Sequence, residues 1–146
     1  MPRITPQAAG GNNVCAFLDV LAFVEIGKPM LQYPRTDDGY RVIVGSIPSK
    51  LILLDDYADH PRRSVKVRKG LYSTAASRYQ QLSRFWPHYR NQLGLPDSGP
   101  LSQDRCAIQP IREQRLDPYS SGRDCRGYSS VPEYLGVIAR RRLWPT

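Results

Sequence analysis

Apolar positions fall into blocks along the chain, separated by polar stretches rich in Pro and Gly. In the first block Val14, Phe17, Leu18, Leu21 and Ala22 recur at the roughly 3.6-residue period of a helix, and Phe23 widens the stripe. Asn12 or Asn13 is placed to cap this helix, and Gly27 with Pro29 to end it after Glu25 or Ile26. The polar residues before it, Met1 to Asn13, read as a flexible lead-in. Tyr40–Val44 alternates and is β-branched, Gly45–Pro48 is a turn, and Lys50–Leu54 is a second strand candidate, which together predict a small hairpin. Lys66–Leu71 is basic and reads as extended or irregular. Ser73 or Thr74 is placed to cap a second helix reaching Trp86, with Ala75, Ala76, Tyr79, Leu82 and Phe85 or Trp86 on its face. Pro87 kinks that helix or begins a new one, and Gly94 stops it. Ser102 is placed to cap a third helix through Cys106, Ile108 and Ile111, with Pro110 disturbing its interior. After Glu113 the apolar period disappears.

A chain of 146 residues suits one compact domain. No apolar run approaches the roughly 20 residues that cross a bilayer, which excludes an integral membrane protein, and no ordinary secretory signal is expected. The formal net charge of +8 favours a polyanionic partner: nucleic acid, an acidic cell wall or a membrane surface. Basic residues cluster at Arg62, Arg63, Lys66, Arg68 and Lys69 and again at Arg140 to Arg142, where the plain alternative is a solvated face. Cys15, Cys106 and Cys125 are far apart and odd in number, so reduced thiols fit better than a disulfide framework. No cysteine or histidine pair has zinc-like spacing, and neither a metal nor a cofactor is expected.

Glu25 is the leading catalytic candidate. It leaves an apolar helical face just before a glycine-containing turn, where partial burial raises a carboxyl pKa toward that of a general acid. An exposed helix-end glutamate is the competing reading. Asp55, Asp56, Tyr57, Asp59 and His60 form an acidic loop, open to three readings: a metal loop, the lining of a polar cleft, or plain surface. Arg78, Tyr79 and Gln80 combine a cation, a ring with a hydroxyl and an amide, a set suited to sugars, although Tyr79 could equally pack into the core. Neither zinc-finger spacing, a GxxG loop, ribonucleoprotein aromatics nor a phosphate-binding glycine loop is present.

The residues in order resemble a family. Ala16–Glu25, Gly39–Gly45, Asp56–Arg62, Ser73–Arg84, Tyr89–Leu95 and Ser102–Asp104 are similar, in sequence and spacing, to motifs of the phage lambda type endolysins, which are lytic transglycosylases. The resemblance runs from about residue 13 to residue 113. It implies an α+β, lysozyme-like single domain, with helices and a small β-hairpin or sheet around a cleft. It also implies cleavage of the β-1,4 bond between N-acetylmuramic acid and N-acetylglucosamine in peptidoglycan, leaving 1,6-anhydro ends. Glu25 occupies the place of the family's essential glutamate. Tyr57, Asp59, Arg78, Tyr79 and Gln80 fall in the stretches that line its cleft. A monomer is implied, made in the host bacterial cytoplasm and acting on the periplasmic wall after release. Its partner is the peptidoglycan glycan strand, with no specific nucleic acid and no integral membrane association.

The chain departs from the family at Ile26-Gly27-Lys28, where Gly-Thr usually follows the glutamate, and at Ser77, where the family has glycine. Pro110 stands where a glutamine is usual. The tail also departs. Shifted by one base, synonymous codons for residues 133–145 can spell Asn-Ile-Trp-Ala-Ser-Leu-Pro-Gly-Ala-Gly-Tyr-Gly-Gln, which resembles the family's C-terminal motif. The expected organisation is therefore a flexible segment 1–13, a lysozyme-like core 14–114 that is incomplete, and a frameshifted tail 115–146. Two alternatives remain for function: an inactive peptidoglycan-binding remnant, and a basic nucleic-acid-binding protein.

Overall fold

The computed structural model describes the backbone of residues 1–120 and the side chains of residues 1–113. It divides into two units, Met1–Pro110 and Ile111–Thr146. The core clusters and the candidate site residues all belong to the first. From position 121 onward the expected frameshifted tail, with its arginine run, lies outside the described residues.

A short helix α1 (Pro6–Ala9) precedes the long helix α2 (Asn12–Leu31). The segment read as a flexible lead-in is thus built into the fold. Thr5 caps α1 by accepting from the Ala8 N–H, and Ile4 and Ala9 are buried. Gly11, not Asn12 or Asn13, takes the cap position of α2 and offers no side-chain bond. The break expected at Gly27 is present: its φ of 77° and ψ of 158° are non-helical, and a further turn carrying Pro29 follows. The buried stripe of α2 is Cys15, Leu18, Leu21 and Ala22. Phe17, Val20, Phe23 and Val24 stay exposed, so the apolar face is rotated from the one that the sequence suggests.

Residues 40–54 double back, but as point contacts instead of regular strands. Val42 pairs with Leu53 and Ile47 with Lys50. Residues 75–77 then lie along the other side of this segment, with Val44 N–H donating to the Ala75 carbonyl and Ser77 N–H to that of Val42. The three lengths of chain enclose a small core of Ile43, Leu54 and Ala76, with Val44, Ile52, Tyr57 and Val65 against it. Among the described residues the regular sheet is a two-stranded antiparallel hairpin, β1 (Val65–Arg68) and β2 (Leu71–Ser73), in the stretch read as extended or irregular.

The second helix expected between Ser73 and Trp86 does not form. Ser77 has φ of 80° and Gln80 φ of 47°, and both interrupt any helical run. Thr74 bridges to Ser83 instead of capping, accepting from both its N–H and its hydroxyl. Helix α3 (Trp86–Leu93) starts at the position where Pro87 supplies a preset φ in the first turn, and Gly94, at φ 59°, ends it. Trp86, Leu95 and Cys106 form a second core cluster, with Tyr89 and Leu93 against it. Burial pushes the Cys106 thiol up to about 12, so it stays protonated and acts as packing. Helix α4 (Pro100–Ser120) begins two residues before Ser102 and runs past Glu113, where the sequence suggested a stop. Asp97 serves its start, accepting from the Gly99 N–H and the Ser102 hydroxyl.

Ser77 is a cost in this fold. Its φ is left-handed, and its buried hydroxyl has no hydrogen-bond partner. Ser77→Gly should stabilise the protein by about 1–2 kcal/mol, because relief of the left-handed strain and of the orphan hydroxyl exceeds the extra chain entropy of glycine. Urea unfolding of the two proteins measures it; an unchanged or lower midpoint would remove the strain argument.

Candidate active site

Glu25 sits two residues before the break in α2 and is half-buried. The break is fixed from outside. Gly39, at φ 90°, brings a loop so close that a Cβ there would lie 2.3 Å from Ile26 Cδ1 and 3.1 Å from Leu31 Cδ2. Asp37 and Asp38 share this left-handed turn. The residue after Glu25 is therefore pinned by a loop that only glycine fits.

Arg78 fastens the same loop to α2. It is 1% exposed. Its Nη2 lies 2.7 Å from Asp19 Oδ1 on α2, and its Nη1 lies 2.8 Å from Asp38 Oδ1 and also reaches the Asp38 carbonyl. The guanidinium stacks over the Tyr40 ring at 5.2 Å. Burial alone would lower the Arg78 pKa, but Asp38 and the neighbouring groups raise it above its usual value, so the charge is permanent. Tyr79, read as a sugar platform or as core, is core: it is 1% exposed and its hydroxyl donates to Asp104 Oδ1 at 2.6 Å.

Asp104 is the hub beneath the site, with 0% exposure. Oδ1 accepts from the hydroxyls of Tyr40 at 2.8 Å and Tyr79 at 2.6 Å. Oδ2 accepts from the backbone N–H groups of Arg3 at 2.7 Å and Ile4 at 2.8 Å. Burial, then the Asp104 charge, raises the pKa of both tyrosines, which keeps them as donors. Gln103 beside it accepts from the Arg78 N–H and donates to the carbonyls of Tyr40 and Ser98.

The remaining candidates are half-buried or exposed. Gln80 is half-buried and donates to the carbonyls of Ser77 and Val42. Tyr57, also half-buried, donates to Asp37 Oδ2 at 2.6 Å, and its carbonyl accepts from Ser98. Asp56 stays local, accepting from the Ala58 N–H. Asp59 belongs to a separate cluster, taking the Trp86 indole N–H at 2.6 Å, Arg62 at 2.6 Å and Arg90 at 3.0 Å. Among the described residues, no three His, Cys, Asp or Glu converge as metal ligands.

The chain is similar to known proteins in sequence and in fold. The family model described as Endolysin matches residues 15–123. The chain belongs to the endolysin family. It is 50% identical over 124 residues to the endolysin of Escherichia phage P2, covering 80% of this chain and 73% of that protein. It is 46% identical over 115 residues to the endolysin of Escherichia phage lambda, covering 79% and 69%. Among solved structures it is similar to a lysozyme from bacteriophage lambda, with TM-score 0.61, 43% identity and coverage of 81% and 69%. It is also similar to bacteriophage lambda lysozyme complexed with a chitohexasaccharide, with TM-score 0.60, 36% identity and coverage of 95% and 94%. The α+β fold with helices and a small antiparallel hairpin is therefore the lysozyme-like fold of these endolysins. Membership supports the general class of activity, endolysin- or lysozyme-type cleavage of peptidoglycan.

Asp37 and Asp38 carry no mark in the sequence of this endolysin that singles them out. The Ser102-Gln103-Asp104 motif is visible as a family string, but no local rule identifies a carboxylate whose four donors come from elsewhere. Asp19 reads simply as the polar side of a helix.

Two groups in the loop before Arg62 make stability depend on pH. His60 is buried; Nδ1 accepts from the Arg62 N–H at 3.0 Å, so Nε2 carries the proton toward the Gln81 carbonyl. Burial lowers its pKa from 6.5, so the unfolded chain binds the proton more readily and stability falls as pH drops through 6.5. Burial raises the Asp59 pKa, but the bonds from Arg62, Trp86 and the His60 backbone outweigh it and set it at about 2. Its contribution is full above 3.8 and is lost as pH falls toward 2. Urea midpoints measured against pH should show two declines, with His60→Gln flattening the upper and Asp59→Asn the lower. A profile unchanged by both substitutions contradicts the assignment.

Proposed function

We propose that this chain is a lytic transglycosylase that cleaves the β-1,4 bond between N-acetylmuramic acid and N-acetylglucosamine and leaves 1,6-anhydro ends, with Glu25 as its single catalytic group. The observation that carries the reading is the placement of Glu25: half-buried, at the exit of α2, on a helix end pinned by Gly39 and by the Arg78 ion pairs. The relative complexed with a chitohexasaccharide supports a cleft for a sugar polymer.

Glu25, protonated, gives its proton to the leaving glycosidic oxygen. Positive charge develops at C1. The carboxylate then takes the proton of the muramic acid 6-hydroxyl, and that oxygen closes on C1 of its own ring. The nucleophile is already part of the substrate, so no second carboxylate has to place a water. This differs from the paired carboxylates of most glycosidases and leaves Asp56 and Asp59 without a chemical step. Tyr57 supplies a ring contact to sugar, and Gln80, whose N–H groups are held by the Ser77 and Val42 carbonyls, supplies its amide oxygen as an acceptor. Arg78, Tyr79 and Asp59 support that wall: Arg78 and Tyr79 from the interior, Asp59 by ordering the loop. The enzyme would be made in the host cytoplasm and reach the periplasmic wall on release.

Digesting isolated sacculi with the purified chain and weighing the soluble muropeptides tests the chemistry. Anhydro ends, lighter by one water than hydrolytic products, are expected. Reducing-end products would establish a hydrolase, and binding without any product would establish the remnant.

A further inference from the structure

Between His60 and Pro96 the chain contains no Asp or Glu, yet eight of its 21 Lys and Arg residues fall there. The other 13 basic residues balance the 13 acidic ones, so the whole formal charge of +8 comes from this stretch. Arg78 is internally neutralised by Asp19 and Asp38, and Arg62 and Arg90 share Asp59. Arg63, Lys66, Arg68 and Lys69 are exposed, and among the described residues none of them has a carboxylate within ion-pair distance.

These four cations occupy seven consecutive positions leading into and along the β1–β2 hairpin. Val65 packs inward against the Ile43 cluster, which turns Lys66 outward. Lys66 stands opposite Tyr72, which is 60% exposed. Uncompensated charge held on a fixed hairpin repels itself and attracts a polyanion. One exposed ring is too few for the stacking platforms that hold single-stranded nucleic acid. Val67 and Tyr72 are too little apolar surface to seat the hairpin in a lipid interface.

We propose that the β1–β2 hairpin is a docking surface for the carboxylate-bearing peptide stems of peptidoglycan. The proposal rests on peptidoglycan being the substrate. It assigns the hairpin to the peptide part of the wall, whereas Glu25 acts on the glycan. Lys and Arg heads meet stem carboxylates, and Tyr72 lies against the peptide between them. Such contacts are solvent-exposed, and salt weakens them.

The test uses the full chain in a Glu25→Gln background, so that the wall is not consumed. Retention is measured on native sacculi, on sacculi whose carboxyl groups have been converted to amides, on DNA and on phosphatidylglycerol vesicles. The parent should lose affinity about tenfold on the amidated wall, and by a similar factor between about 50 and 300 mM salt. Arg63→Gln, Lys66→Gln, Arg68→Gln and Lys69→Gln combined should bind both walls equally weakly. The charge-conserving set Arg63→Lys, Lys66→Arg, Arg68→Lys and Lys69→Arg should bind like the parent, which separates charge from any effect on folding. Equal parent binding to native and amidated walls overturns the proposal. So does a loss confined to DNA or vesicles. Failure of the unmodified chain to release anhydro products, with charge-dependent retention intact, would sink the catalytic reading and leave the docking surface standing. Normal products with charge-independent retention would do the reverse.

Discussion

Glu25→Gln should lower the rate of anhydro-muropeptide release by about 10³-fold or more, with the unfolding midpoint and the retention on sacculi little changed. Glutamine keeps the shape of the side chain and its place at the helix exit, but it neither gives a proton to the leaving oxygen nor takes one from the 6-hydroxyl. A general acid–base group is typically worth about 10²–10⁴-fold, and here one residue serves both proton transfers, which argues for the upper part of that range. Glu25→Asp keeps the acid and withdraws it by one methylene, so its loss should be smaller, about 10²-fold, and should come from misplacement. Initial rates of product release measured by mass spectrometry, alongside urea midpoints, separate the two variants. If Glu25→Gln retained a tenth of the activity, a different residue would have to carry the chemistry.

The largest effect on stability is expected at Asp104. Asp104→Ala leaves the hydroxyls of Tyr40 and Tyr79 and the N–H of Ile4 without their buried acceptor, while the Arg3 N–H keeps its second bond, to the Tyr40 hydroxyl oxygen at 3.1 Å. Each stranded buried donor costs about 1–3 kcal/mol, so the sum over three should be at least about 3 kcal/mol, a large part of the roughly 5–15 kcal/mol that holds a domain folded. Tyr40→Phe and Tyr79→Phe remove one donor each and should cost about 1–2 kcal/mol apiece. Chemical denaturation of the three variants checks the ranking. An Asp104→Ala protein more stable than either phenylalanine variant would show that the carboxylate is not the hub.

Helix α2 and its break were legible because both signals are local: an apolar stripe for the body, and Gly27 with Pro29 for the end. The position of Glu25 just before that break was legible for the same reason. The stretch from Ser73 to Trp86 was misleading. Ala75, Ala76, Tyr79 and Leu82 have helical spacing, but long-range partners divide them: Ala76 joins the Ile43 core and Tyr79 turns to Asp104. Left-handed turns at Ser77 and Gln80 permit that division. The β1–β2 stretch reads as extended or irregular but not as a paired hairpin, because Lys66, Val67 and Arg68 are all exposed and leave no alternation of buried and open positions to read. The frame behind the site was the least legible part, since Arg78 gathers carboxylates from positions 19 and 38, and no local pattern encodes such a meeting.

The bonds to Asp104 also set an order of events during synthesis. Their donors lie 101, 100, 64 and 25 residues upstream, at Arg3, Ile4, Tyr40 and Tyr79. Four segments made at different times therefore wait for one late residue, and a nascent chain that ends before it leaves all four donors without that acceptor. Contacts of such sequence separation slow folding, because loop entropy is lost before the contacts compensate for it. Domain closure is thus deferred until α4 has left the ribosome, and the first hundred residues emerge as a chain still open to chaperones and proteases.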